Sequence, residues 1–183
     1  MNRRRVLRWL VGIAAVFLLA WAFLASGIYD VSATAKTSGL ERWLAFYVVD
    51  HSVERRAPKG PNPVAVTPAV LTRGLREYKH HCMVCHGVPG EPQSGIAAGL
   101  NPPAPDLADP DSQEGSDGEL FQVISAGIRM TGMPAFSRSE SQETIWTLVA
   151  FVRHLPKLTD DEKRALTARE GRREPDAGPP DTR

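Results

Sequence analysis

The sequence predicts an all-α chain, with one membrane-crossing helix at the N-terminus followed by a domain of helices packed around a single site. Three observations carry this expectation. Residues 9–28 are uncharged and apolar and follow Arg3, Arg4, Arg5 and Arg8, a run long enough at helical rise to cross a bilayer core of ~30 Å. The later apolar segments recur at helical rather than strand period. The third is the motif Cys82-Met83-Val84-Cys85-His86, which contains both cysteines of the chain. With 183 residues and a formal net charge of +1, the chain has room for one domain plus appendages. That charge balance gives no reason to expect a nucleic-acid partner.

In chain order, the arginine cluster belongs in the cytoplasm, so everything after Ile28 lies on the far side of the membrane. Trp9 and Tyr29 bracket the run as interface anchors. A cleaved signal peptide is the competing reading, because Ala25-Ser26-Gly27 suits cleavage. Both readings export the chain. Residues 30–37 read as an exposed connector. Ser38 and Glu41 have capping-box spacing and open a segment with Leu40, Trp43, Leu44, Phe46, Tyr47 and Val48. This segment is either an interfacial helix lying on the membrane or a helix packed on the following domain or a partner subunit. Arg55, Arg56, Pro58, Gly60, Pro61 and Pro63 then make a linker.

Thr67 can cap a helix whose first position is Pro68, where the missing N–H costs nothing. That helix runs to the cysteines, with Gly74 and Tyr78 on one face. Residues 87–115 are rich in Gly and Pro, a long loop of the kind that wraps a cofactor. Ser116 and Glu119 start a further helix by capping-box spacing, and Gly127 ends it. Residues 141–155 carry Ile145, Leu148, Val149 and Val152 at helical spacing, with Trp146 and Phe151 among them. The predicted organisation is therefore 1–29 basic start and anchor, 30–66 juxtamembrane helix and linker, 67–156 the site domain, and 157–183 a polar tail, disordered beyond Glu170.

Two cysteines separated by two residues and followed at once by histidine are the attachment signature of a c-type haem. Thiols one helical turn apart can each add to one vinyl group on a porphyrin edge, and the next residue brings its imidazole under the iron. Cys82 and Cys85 are thus the expected covalent attachment points, and His86 the expected proximal ligand. A redox dithiol, half of a zinc site and a structural disulfide are the rival readings. A dithiol of the thioredoxin kind belongs in a βαβ pattern and a zinc site needs a second ligand pair; the sequence has neither. A single motif means a single haem.

The arrangement of Gly74, Tyr78, the motif and the last helix resembles class I cytochromes c. The resemblance covers about residues 67–155 and implies that family's fold, with a glycine and an aromatic of the first helix meeting the last helix beside the haem. It places Leu148 and Phe151 against Gly74 and Tyr78. Gly132-Met133-Pro134-Ala135-Phe136 resembles the family's loop for the second axial ligand, which makes Met133 the expected thioether on the iron. Met130 lacks the following proline. Asn101-Pro102-Pro103-Ala104-Pro105-Asp106-Leu107 resembles the segment whose proline carbonyl accepts a hydrogen bond from the proximal histidine. Pro103 is the expected acceptor, with Pro102 and Pro105 left open. His80 and His81 read as solvated or propionate-facing, His51 as a surface residue, and His154 as a surface residue or a partner of the helix C-terminal dipole.

The implied function is a single-haem electron carrier, anchored in a bacterial inner membrane with its domain in the periplasm. It exchanges electrons with redox protein partners and has no small-molecule substrate, so it is not itself an enzyme. A fixed subunit of a larger oxidoreductase complex is the alternative, and a haem enzyme or gas sensor with an open iron site the less favoured one. No lysine or arginine occurs from residue 82 to residue 128, whereas Glu91, Asp106, Asp109, Asp111, Glu114, Asp117 and Glu119 all do. A basic partner face is the reading that charge pattern suggests, beside that of an ordinary solvated acidic loop.

Overall fold

An apolar run with no helix breaker winds into α1 (Arg3–Ala25), whose 23 residues bury no side chain and span about 35 Å at ~1.5 Å per residue. The computed structural model describes residues 3–168, and among these α1 is the helix long and apolar enough to cross a membrane. It stops where Ser26 and Gly27 turn the chain, Gly27 at a φ of 68°. The chain divides after Ser38 into two units, of which α1 and its connector are the first.

The second unit begins at Gly39. It contains α2 (Gly39–Arg56), α3 (Pro68–His81), α4 (Met83–His86), α5 (Gly95–Ala98), α6 (Pro110–Gln113), α7 (Asp117–Ala126), α8 (Gln142–His154) and α9 (Asp160–Thr167), with 3-10 turns at Phe136–Arg138 and Leu155–Lys157. No strand occurs among the described residues. The all-α expectation therefore holds, with an apolar N-terminal helix preceding the helical domain.

Capping chemistry sets most of these starts. Thr67 accepts from the Val70 N–H ahead of Pro68. Reciprocal capping boxes form at Ser116 with Glu119 and at Thr159 with Glu162, each satisfying two otherwise orphaned donors. Two boundaries differ from expectation. α2 takes in Arg55 and Arg56 instead of ending before them, since cations in a last turn offset the exposed carbonyls. The long loop also contains the single turns α5 and α6, started by Ser94 and Asp109. The tail expected to be disordered beyond Glu170 lies outside the described residues.

The core is built on α8, which buries every residue from 145 to 152. It is enclosed because α3 and α7 both pack on it. The α3 contact depends on Gly74: a Cβ there would lie 2.6 Å from Phe151 Cβ and 3.1 Å from the Thr147 carbonyl oxygen. The Tyr78 and Phe151 rings meet at 5.5 Å between centroids. Phe151 thus stands where the resemblance placed it. The Thr147 carbonyl is a further neighbour of Gly74, and Leu148 is buried in the same core cluster as Tyr78. On the α7 side Phe121 stacks on Trp146 at 4.3 Å. Arg153 joins α8 to the start of α7 through Asp117 at 2.8 Å and holds the Gln113 and Gly115 carbonyls.

The remaining segments are tied to this frame. α2 packs on α7, and the linker is held by Asn62, whose side-chain amide donates to the Trp146 carbonyl at 2.9 Å. Lys79 of α3 donates to the Ala165 and Ala168 carbonyls at the end of α9, at 2.8 and 2.6 Å. The His154 ring and Glu162 close α9 from the other side at 3.0 Å.

Candidate functional site

The Cys-x-x-Cys-His motif is wound as helix. Cys82 closes α3 by donating its N–H to the Tyr78 carbonyl at 2.8 Å, and its own carbonyl accepts from the Cys85 and His86 N–H groups at 3.1 and 2.9 Å. Both thiols are free of any disulfide and lie one turn apart. Cys82 is buried, and that burial, followed by the charges of Cys85 and Glu77, pushes its pKa up to about 12. A redox-active dithiol needs a stabilised thiolate. A protonated, buried thiol in a helix is the opposite environment.

The ring of His86 is oriented by its Nδ1, 2.9 Å from the Pro105 carbonyl oxygen. A carbonyl only accepts, so Nδ1 carries the proton and Nε2 presents its lone pair. Burial lowers the His86 pKa, opposed by the Pro105 hydrogen bond and by the nearby Asp106 carboxylate. The neutral imidazole this favours is the form that ligates a metal. Pro105 therefore replaces Pro103 as the acceptor. The difference arises in the register of an irregular loop, where Gln93 holds the Ala104 carbonyl at 2.8 Å and Asp106 accepts from the Ala108 N–H at 2.8 Å. These two bonds bracket Pro105, whose carbonyl meets the His86 ring.

Two further side chains brace the motif and were not singled out for this role by the sequence. The fully buried Tyr78 donates its hydroxyl to the Gly87 carbonyl at 2.8 Å. Ser94 donates to the Val84 carbonyl at 2.6 Å. The position of Tyr78 one turn before Cys82 was the available signal; the acceptors depend on how the loop folds back.

Met133 comes from a second, self-braced loop. Gly127 ends α7 at a φ of 65°, and a Cβ there would sit 2.7 Å from the Met133 carbonyl oxygen. Ile128 donates its N–H to that same oxygen at 3.2 Å. Thr131 Oγ1 donates to the Ile128 carbonyl at 2.8 Å and accepts from the Met133 N–H at 3.1 Å. The side chain of Met133 packs against the core cluster. Met130, in contrast, is 92% exposed.

The other histidines separate clearly. His80 is exposed, His51 donates its Nδ1–H within its own helix to the Tyr47 carbonyl at 2.9 Å, and His154 is engaged by Glu162. His81 is not simply solvated, because it stands between Glu77 and Glu140. In the lysine- and arginine-free stretch Asp117 is paired with Arg153, while Glu91, Asp109, Asp111 and Glu114 are exposed.

Comparison with protein families matches residues 69–152 to the family described as cytochrome c oxidase, cbb3-type, subunit III. The matched stretch runs from the start of α3 to the end of α8 and includes the motif, the Pro105 loop and the Met133 loop. The match supports a class I c-type cytochrome domain over these residues. A cytochrome c domain is a haem electron-transfer unit that works with redox protein partners, as a carrier or a subunit rather than as an enzyme by itself. The donor set fits that cofactor: two thiols one turn apart, an imidazole with its distal nitrogen free, and a thioether set against the apolar core.

Proposed function

We propose that the chain is a membrane-anchored cytochrome c that carries single electrons on the periplasmic side of a bacterial inner membrane. One haem would be held through Cys82 and Cys85, with His86 and Met133 as its axial ligands. When bound, the haem supplies an iron that alternates between Fe(II) and Fe(III) and so carries one electron. His86 offers Nε2, and Pro105 keeps the tautomer and ring orientation that this needs. Met133 offers a soft sulfur, which favours the ferrous state and a higher potential than a second histidine gives. Tyr78 and Ser94 hold the motif in register, and Cys82 and Met83 join the apolar core that α8 centres.

The observation that carries this reading is the His86 Nδ1 to Pro105 contact of 2.9 Å, because it prepares a metal-ligating nitrogen directly behind two free thiols. The pyridine haemochrome assay on protein expressed with haem-attachment machinery is expected to show covalent haem with one equivalent per chain. Met133→Ala is expected to lower the reduction potential and to open the iron to carbon monoxide. A wild-type protein that binds carbon monoxide at once, with a spectrum unchanged by Met133→Ala, would sink the electron-carrier reading in favour of an open-site sensor or enzyme.

The exposed acidic residues favour a partner that presents basic groups near the haem edge. Electron-transfer rate with a basic partner should fall as ionic strength rises, and a rate flat with salt would remove this part of the proposal. A second reading, a fixed subunit of a larger oxidoreductase, draws on the matched oxidase family and on the exposed Leu40, Trp43, Phe46 and Tyr47 of α2. Copurification from detergent-solubilised membranes separates the two. A stoichiometric oxidase or dehydrogenase partner identifies a subunit, and isolation alone a mobile carrier.

A further inference from the structure

Outside the cytochrome site, one cluster of side chains combines metal-binding atoms from two separate elements. Glu77 and His81 stand one helical turn apart on the same face of α3, and Glu140 reaches them from the segment after the Phe136–Arg138 turn. His81 Nε2 lies 3.2 Å from Glu140 Oε1 and 3.6 Å from Glu77 Oε2, and one ligand atom from each of the three residues falls within 4.8 Å of the others. Two ligands about 2.1 Å from one ion at tetrahedral angles are roughly 3.4 Å apart. The observed spacings bracket that value.

Two features separate this cluster from an ordinary surface ion pair. The side chains are only 19 to 26% exposed, and among the described residues the ion pairs of Glu77 and Glu140 both go to His81. Even a protonated imidazole would offset one of two partly buried negative charges. The donors are also held in place. The His81 ring packs edge-on against Phe136 at 5.5 Å, and the Glu140 N–H donates to the Phe136 carbonyl at 2.8 Å.

We propose that Glu77, His81 and Glu140 form a binding site for a first-row divalent cation, best suited to Zn²⁺, with water completing the coordination. One imidazole and two carboxylates favour such an ion over Mg²⁺ or Ca²⁺, which take oxygen ligands throughout. The site bridges the end of α3 and the segment beyond Met133, so occupancy also cross-links these two parts of the domain.

The test is calorimetric titration of the full-length, haem-loaded protein in detergent with Zn²⁺ alone, and separately with Mg²⁺. One saturable Zn²⁺ site at micromolar concentration is expected, with no response to Mg²⁺. Glu140→Gln is expected to weaken Zn²⁺ binding at least tenfold, and Glu77→Gln provides a second variant on a different element should the first not fold. His154→Gln, which removes the other partly buried histidine–carboxylate pair, should leave binding unchanged. A thermal melt gives an independent readout: Zn²⁺ should raise Tm in the wild type but not in Glu140→Gln. Absent or millimolar binding, or micromolar binding that survives both glutamine variants, would overturn the proposal and leave His81 as a simple charge partner of the two glutamates.

Discussion

Helices α1 and α8 are both apolar, yet their surroundings are opposite. α1 buries none of its side chains within the protein, whereas α8 buries all eight from 145 to 152. Phe17 of α1 is 72% exposed, and Phe151 of α8 is fully enclosed. The same residue type thus has two environments: protein encloses Phe151, whereas Phe17 is left uncovered on a helix long and apolar enough to cross a membrane. Apolar character says that a helix must be covered. What covers it is decided by the neighbouring sequence, here by Gly74, Tyr78, Phe121 and Arg153 for α8.

Truncating each phenylalanine tests that contrast. Phe151→Ala is expected to cost the domain about 3–5 kcal/mol, the range for large-to-small changes in a close-packed core, read from denaturant unfolding followed by circular dichroism. Gly74→Ala comes next, at about 1–3 kcal/mol, because the added methyl meets a Cβ and a backbone carbonyl rather than a pliable side-chain end. Gly74→Ser should cost at least as much. Phe17→Ala is the smallest effect, within ±0.5 kcal/mol for unfolding of the domain. Its expected consequence is only a modest loss of membrane partition, measured by vesicle flotation. A Phe17→Ala penalty as large as that of Phe151→Ala would mean that α1 is covered by protein after all.

What was legible in the sequence follows the range of the interactions concerned. The caps at Thr67 and Ser116 depend on residues three apart, and they form as their spacing predicts. The motif is equally local. The Gly74 to Phe151 contact is far apart in the chain and was accessible only through resemblance to a family in which such a pair meets. Where neither short range nor resemblance applied, the reading ran out. The expected Pro103 gave way to Pro105 because the register of a proline-rich loop is set by Gln93 and Asp106 bonds that no periodicity signals. His81 was read as solvated or propionate-facing, and its carboxylate neighbour Glu140 was not foreseen because it lies on a distant segment.

The burial of Cys82 bears on the order in which the molecule is made. The groups that shape the motif, Tyr78, Gly87, Ser94 and Pro105, lie within a short stretch of chain, but α8, which packs across α3, is synthesised later. In the folded domain Cys82 is a buried residue, at 7% exposure. On the proposed assignment, packing of the domain shields Cys82, so thioether formation is expected to come before that packing is complete.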